Sequence, residues 1–181
     1  RDAPGAEAAT LFLAGYVGEK SLAMDNVFVI AMIFGYFAIP AIYQHHVLFW
    51  GIIGALVMRG AMIGAGAALI QQFNWIIYIF GGFLILTAIK MAVVKSDGVD
   101  PAKNPFVRLV KRVLPVTDHY DGDKFITRVN GARAATPLML ALVMVEFTDV
   151  IFAVDSIPAI FAITADPFLV FTSNIFAILG L

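Results

Sequence analysis

Val145-Glu146-Phe147-Thr148-Asp149-Val150-Ile151-Phe152-Ala153-Val154-Asp155-Ser156-Ile157-Pro158 sets three carboxylates, Glu146, Asp149 and Asp155, inside one of the most apolar runs of the chain. In hydrocarbon each carboxylate costs about 2.5 to 3.5 kcal/mol on an insertion scale, so such groups sit in a protein interior or a water-filled cavity. They mark an ion or proton site. The rest of the chain fits that setting, because 61% of its 181 residues are hydrophobic and a soluble domain of this size cannot hide so much apolar surface.

The fold class expected is an all-α membrane protein, a polytopic helical bundle. About 20 apolar residues span a bilayer, and by that measure there are five segments: Ala8–Ile39, Val47–Ile70, Trp75–Val94, Thr136–Thr164, and a fifth beginning near Phe168 after Asp166-Pro167. In the first, Gly15 to Ser21 reads as a weak or broken stretch. Pro40 and the polar Tyr43-Gln44-His45-His46 are expected to make the following turn. Gly60-x-x-x-Gly64 in the second segment allows a neighbouring helix to approach closely.

Residues 95–135 are of different material. They hold eight of the twelve basic residues, with Pro101, Pro105 and Pro115, and read as a hydrophilic connector carrying one short amphipathic helix, Phe106–Leu114, along the membrane. The basic residues place this connector in the cytoplasm; a lipid-binding or partner-binding surface is the secondary reading. The division is thus 1–94, three transmembrane helices; 95–135, the connector; and 136–181, two more helices. No leader is visible at Arg1, and the last apolar run stops short of a span, so a piece of a longer protein is expected.

With the connector inside, the first and fourth segments run antiparallel. Their polar residues repeat: Glu19-x5-Asp25-Asn26 in the first matches Asp149-x5-Asp155-Ser156 in the fourth. Equal spacing in opposite orientation is the pattern of an inverted three-helix repeat, whose transport sites lie near the midplane. On a straight helix the two acids of each motif sit roughly 120° and 9 Å apart, so sharing a cation requires a break. Pro158 supplies one in the fourth segment, since it cannot donate to the carbonyl of Val154. Glu146 and Asp149 share a face and repel, which suits exchange of protons for a divalent cation. The competing structural reading neutralises these acids with Arg59 or Lys90. Lys90 is expected to reach the membrane interface instead, and one deep arginine cannot offset five carboxylates.

Cysteine is absent, so a metal must be held by oxygen, imidazole or thioether ligands, and the set Asp25, Asn26, Asp155, Ser156 with Glu146, Asp149 and Glu19 is one of hard oxygen donors. Such atoms accept hard divalent cations without selecting among them. Intramembrane aspartyl proteolysis is disfavoured by the lack of a Gly-x-Gly-Asp pattern, so an enzyme is not expected.

Three stretches resemble the TerC family: Glu19-x-Ser21-Leu22-x-Met24-Asp25-Asn26-Val27-Phe28; Gln44-His45 with Leu48-Phe49-Trp50-Gly51; and Val145 to Ala159. So does the run from Phe171-Thr172-Ser173-Asn174 to Leu181. Ala23 departs from the family, many of whose members carry Ser there. The resemblance implies a bacterial inner-membrane, multi-pass exporter of Mn²⁺ with the acids of the two motifs as its ion site. Such a protein has no tightly bound cofactor, and its partners are a divalent metal ion and membrane lipid, with no nucleic acid. It can form a homo-oligomer or engage a membrane partner through the connector. The alternative is a membrane assembly or interaction factor linked to tellurite resistance, whose acids are structural.

Overall fold

A computed structural model describes residues 5–73, 75–93, 105–113, 115–129 and 131–180, apart from the side chains of Leu22, Asp25, Met91, Ala92, Pro105 and Phe106. It contains helices α1 (Gly5–Tyr36), α2 (Ala41–Gln72), α3 (Ile76–Val93), α4 (Pro105–Val113), α5 (Pro137–Ile163) and α6 (Pro167–Leu179). Strands β1 (Ile126–Val129) and β2 (Ala132–Ala135) form an antiparallel hairpin between α4 and α5. The five expected membrane segments correspond to α1, α2, α3, α5 and α6. Helices α2 and α5 are long and apolar enough to cross a membrane, and α3 and α6 contain shorter apolar stretches.

Three expectations about backbone shape are corrected. Helix α1 is continuous through Gly15–Ser21. Its polar groups are satisfied in place: Ser21 Oγ donates to the Val17 carbonyl at 2.8 Å, and Lys20 Nζ reaches the Gly180 carbonyl. The turn after α1 is shorter than expected, because Tyr43–His46 already belong to α2. Ala38 makes the reversal in the left-handed region, at φ 52°, and the amides of Phe37 and Ile39 close back on the carbonyls of Ile33 and Phe34. Pro158 leaves no gap in α5, which runs on five residues to Ile163.

The start of α6 follows from its sequence. Asp166 caps it, accepting from the amides of Phe168 and Leu169 at 2.9 and 3.3 Å, and Pro167 occupies the first turn, where a missing N–H costs nothing.

Packing divides the chain into two compact units, residues 1–26, 56–96 and 150–181, and residues 27–55 and 97–149. The first has a core of Ile63, Ala67, Ala153, Ile157, Ile160, Phe161 and Val170. Gly66 belongs to this packing, since a methyl there would stand 3.0 Å from Phe161 Cε2. The second is built on Ile33, Phe34, Val47, Leu138, Ala141 and Met144, joined by Val107 of α4. Val107, with the partly buried Val110, anchors the amphipathic helix, while Leu109 and Val113 stay 53% and 70% exposed.

The hairpin was not anticipated. Gly131 adopts φ 83°, a conformation that an L-residue avoids, and the pair Asn130-Gly131, following the β-prone Ile126, Thr127 and Val129, is the short-range signal that could have found it. The loop ahead of it is held by Asp121, which accepts from Thr127 Oγ1 at 2.7 Å and Lys124 Nζ at 3.1 Å. These hydrogen bonds, Thr127 first, hold the Asp121 carboxyl below its ordinary value of 3.8. A depressed folded value means that the contribution is complete above pH 3.8 and is lost as pH falls through the folded value. Amide exchange at Thr127 should therefore accelerate on acidification below that range, and Asp121→Asn should flatten the dependence. An unchanged acid limb in the variant would show that Asp121 does not hold the loop.

Candidate functional site

In the first unit a buried polar cluster joins α1, α2 and α6. Glu19, Arg59 and Asn174 are each at most 2% exposed. Arg59 Nη1 donates to Glu19 Oε1 at 3.3 Å and to Asn174 Oδ1 at 3.0 Å, and Asn174 Nδ2 closes the triangle by donating to Glu19 Oε1. Each group is hydrogen-bonded to the other two. The approach of α6 depends on missing side chains: a methyl on Gly15, one turn before Glu19, would stand 2.8 Å from Ser173 Oγ, and one on Gly60, beside Arg59, 3.1 Å from Phe171. Gly64, the other half of the Gly-x-x-x-Gly motif, has nothing within 4 Å of its added methyl, so the close approach is made at Gly60.

Asp155 has different company. It lines a cleft of about 410 Å³ between α3 and α5 with Thr87, Lys90 and the apolar Phe83, Leu86 and Val154. Thr87 Oγ1 donates to Asp155 Oδ1 at 3.4 Å, a weak contact, and no basic group lies within ion-pair distance of this carboxylate among the described residues. Its neighbour Ser156 is 2% exposed, and its Oγ has no hydrogen-bond partner among the described residues. A buried hydroxyl left so is costly, and it is an oxygen donor available to a ligand. Asn26 is half-buried on α1. The Asp25 side chain, expected as a central ligand, lies outside the described residues.

In the second unit, Glu146 is half-buried and Asp149 5% exposed, one turn apart on α5. Between them Thr148 is fully buried and bonded back to the Met144 carbonyl at 2.8 Å. The Glu146 carboxylate lies directly against the bare Cα of Gly54 on α2, where an added methyl would overlap it. Gly51, one turn earlier, lets Val145 in at 3.2 Å from the corresponding position. Small residues of α2 thus make the space in which Glu146 sits.

The structure therefore brings Glu19 to Arg59 and Asn174, and Asp155 to Thr87. Among the described residues no three acidic or histidine side chains converge on a metal-sized point. Sequence reasoning raised Arg59 as a possible partner of an acid but gave no part to Asn174 or Thr87. Asn174 stands inside the quoted Phe171-Thr172-Ser173-Asn174 run. A polar Thr172-Ser173-Asn174 run inside an apolar helix was the available signal.

Long apolar helices with carboxylates set inside them are the mark of a helical integral membrane protein. The chain belongs to the integral membrane protein TerC family, which it matches over residues 5–181. It is 53% identical over 177 residues to a membrane protein of Myxococcus xanthus, STKORF319, covering 98% of this chain and 56% of that one. Alx of Escherichia coli K12, provisionally named a membrane-bound redox modulator, is 56% identical over 173 residues, 96% of this chain and 54% of Alx. The chloroplastic thylakoid membrane protein TERC of Arabidopsis thaliana is 44% identical over 177 residues, 98% of this chain and 46% of TERC. The chain spans about half the length of these curated relatives. No solved structure matches it.

Proposed function

We propose that this chain is the ion-handling part of a divalent-cation exporter, with Mn²⁺ as its cargo and inward H⁺ or Na⁺ as the coupling ion. The observation that carries the reading is the contrast between two buried polar places. Glu19 is held by a guanidinium and an amide, those of Arg59 and Asn174, whereas Asp155 opens on a cleft where Thr87 makes it one weak hydrogen bond and Lys90 lines the wall without an ion pair, and Ser156 keeps an unused buried oxygen. A carboxylate kept in apolar surroundings without a fixed counter-charge is suited to a charge that comes and goes. Mn²⁺ accepts carboxylate, amide and hydroxyl oxygen. In this reading Asp25, Asn26, Asp155 and Ser156 are the central ligands, supplied by the two halves of an inverted repeat. Glu146 and Asp149 are the coupling pair that exchanges protons against the metal, and Glu19 is a secondary acid that Arg59 holds in balance. The connector, residues 95–135, faces the cytoplasm of a bacterial inner membrane.

Asp25→Asn and Asp155→Asn remove the charge but keep the shape. Each is expected to abolish Mn²⁺ efflux from cells expressing the full-length protein while leaving its amount in the membrane unchanged. Efflux at the wild-type rate in either variant sinks the assignment of that residue.

The second reading, a membrane assembly or interaction factor with structural acids, draws on the closed Glu19–Arg59–Asn174 triangle, which has the form of a packing device. It predicts no metal-dependent flux in reconstituted vesicles and co-purification of a partner through the connector. Redox modulation, the provisional designation of Alx, finds no thiol couple in this chain, which lacks cysteine.

A further inference from the structure

Arg128 and Arg133 stand directly opposite each other across the β1–β2 hairpin. Like charges so placed repel. Among the described residues no carboxylate offsets them, because Asp121, the acid that borders the same hollow, is engaged by Lys124 and Thr127. The two arginines, Lys124, Thr127 and Ile126 line this open hollow of about 370 Å³. Three cations around one acid leave an excess of positive charge facing a space large enough for a small anion.

We infer that this hollow binds a phosphate group, with the Arg128 and Arg133 guanidiniums as its two forks. Planar guanidinium pairs suit phosphate oxygens, which accept two parallel N–H donors from each fork and relieve the repulsion between them. The position favours a phospholipid headgroup over a soluble phosphate. β2 ends at Ala135, two residues before α5, a helix fit to cross a membrane, so the hairpin emerges where that helix begins. Ile126 and Val129 beside the arginines are 43% and 44% exposed. On α4 the exposed Leu109 and Val113 are interleaved with Arg108, Lys111 and Arg112. Apolar side chains at the surface among cations are what an anionic bilayer face accommodates. The site is independent of metal transport, and nothing in the transport reading requires it.

The test uses the full-length protein, purified in a maltoside detergent and stripped of lipid. Its thermal midpoint is followed during titration with short-chain phosphatidylglycerol, short-chain phosphatidylcholine and inorganic phosphate. Phosphatidylglycerol should raise the midpoint saturably and phosphatidylcholine should not. Arg128→Gln with Arg133→Gln should weaken the phosphatidylglycerol response about tenfold or more, while the double Lys variant retains part of it. Without lipid the double Gln variant should melt no lower than wild type, since two repelling charges have gone; a lower midpoint would assign the arginines a structural role and overturn the proposal. A phosphatidylglycerol response in the double Gln variant equal to that of wild type would overturn it too. Saturation by inorganic phosphate at lower concentration than by phosphatidylglycerol supports the phosphate site and assigns it to a soluble ligand, whereas phosphatidylglycerol binding unaffected by millimolar phosphate supports the lipid.

Discussion

Arg59→Met should destabilise the protein by about 3 to 5 kcal/mol, the usual cost of removing one partner from a buried charge pair. The reason is the charge left behind. Glu19 is 1% exposed and Asn174 fully buried, and Arg59 supplies a hydrogen bond to each. With methionine at 59 the packing of α2 is largely kept, but a buried carboxylate loses its guanidinium donor. Pairing Arg59→Met with Glu19→Leu removes both charges and should recover most of the loss, because a buried pair replaced by apolar groups of similar volume is often close to neutral. Equilibrium unfolding of the four proteins in detergent checks this as a double-mutant cycle. Additive losses would mean that Arg59 and Glu19 do not depend on each other, and the closed triangle would lose its meaning. Glu19→Gln alone is expected to lie between these extremes, since an amide keeps a hydrogen-bonding group beside Asn174 but removes the negative charge facing the guanidinium.

The second large effect is expected at Gly54. A methyl there would occupy the position of the Glu146 carboxylate. That carboxylate ends a flexible side chain, so the clash is relieved by swinging it aside and the fold survives. Gly54→Ala should therefore melt close to wild type, helped by the higher helix propensity of alanine, while Mn²⁺ transport falls by at least about tenfold, as expected when a working group is displaced by around an ångström. Gly64→Ala, on the same helix with nothing within 4 Å of the added methyl, is the control and should transport normally. Equal transport rates in Gly54→Ala and wild type would remove Glu146 from the working set. A collapse of stability in Gly54→Ala would show instead that Gly54 serves packing alone.

What the sequence made legible was what depends on local pattern. Apolar runs of about 20 residues gave the helices, Asp166-Pro167 the start of α6, and the alternation of cations with valine and leucine from Phe106 onward the amphipathic α4. The hairpin escaped because residues 95–135 were read by composition, in which charge and proline outweighed the Asn130-Gly131 turn signal. The continuity of α1 escaped for another reason. Glu19 and Lys20 look disruptive only until their partners are known, and those partners are Arg59, Asn174 and Gly180, between 40 and 160 residues away. Pairings at that separation leave no periodic trace in a single chain. Depth in the membrane and the cost of buried charge could announce that Glu19, Asp149 and Asp155 have partners or ligands; they could not say which acid has which. Hence spacing matched Glu19 to Asp149 and Asp25 to Asp155, whereas the structure gives Glu19 an arginine and Asp155 a cleft.

The central claim is that the carboxylates of α1 and α5 carry a divalent cation across the membrane in exchange for another ion. Uptake of Mn²⁺ into inside-out vesicles containing the full-length protein tests it most directly, measured with and without an imposed pH gradient and against Ca²⁺ and Mg²⁺. The account predicts saturable Mn²⁺ uptake that an acidic lumen accelerates and Asp155→Asn eliminates. Uptake no faster than in vesicles lacking the protein, under either proton or sodium gradients, would contradict it.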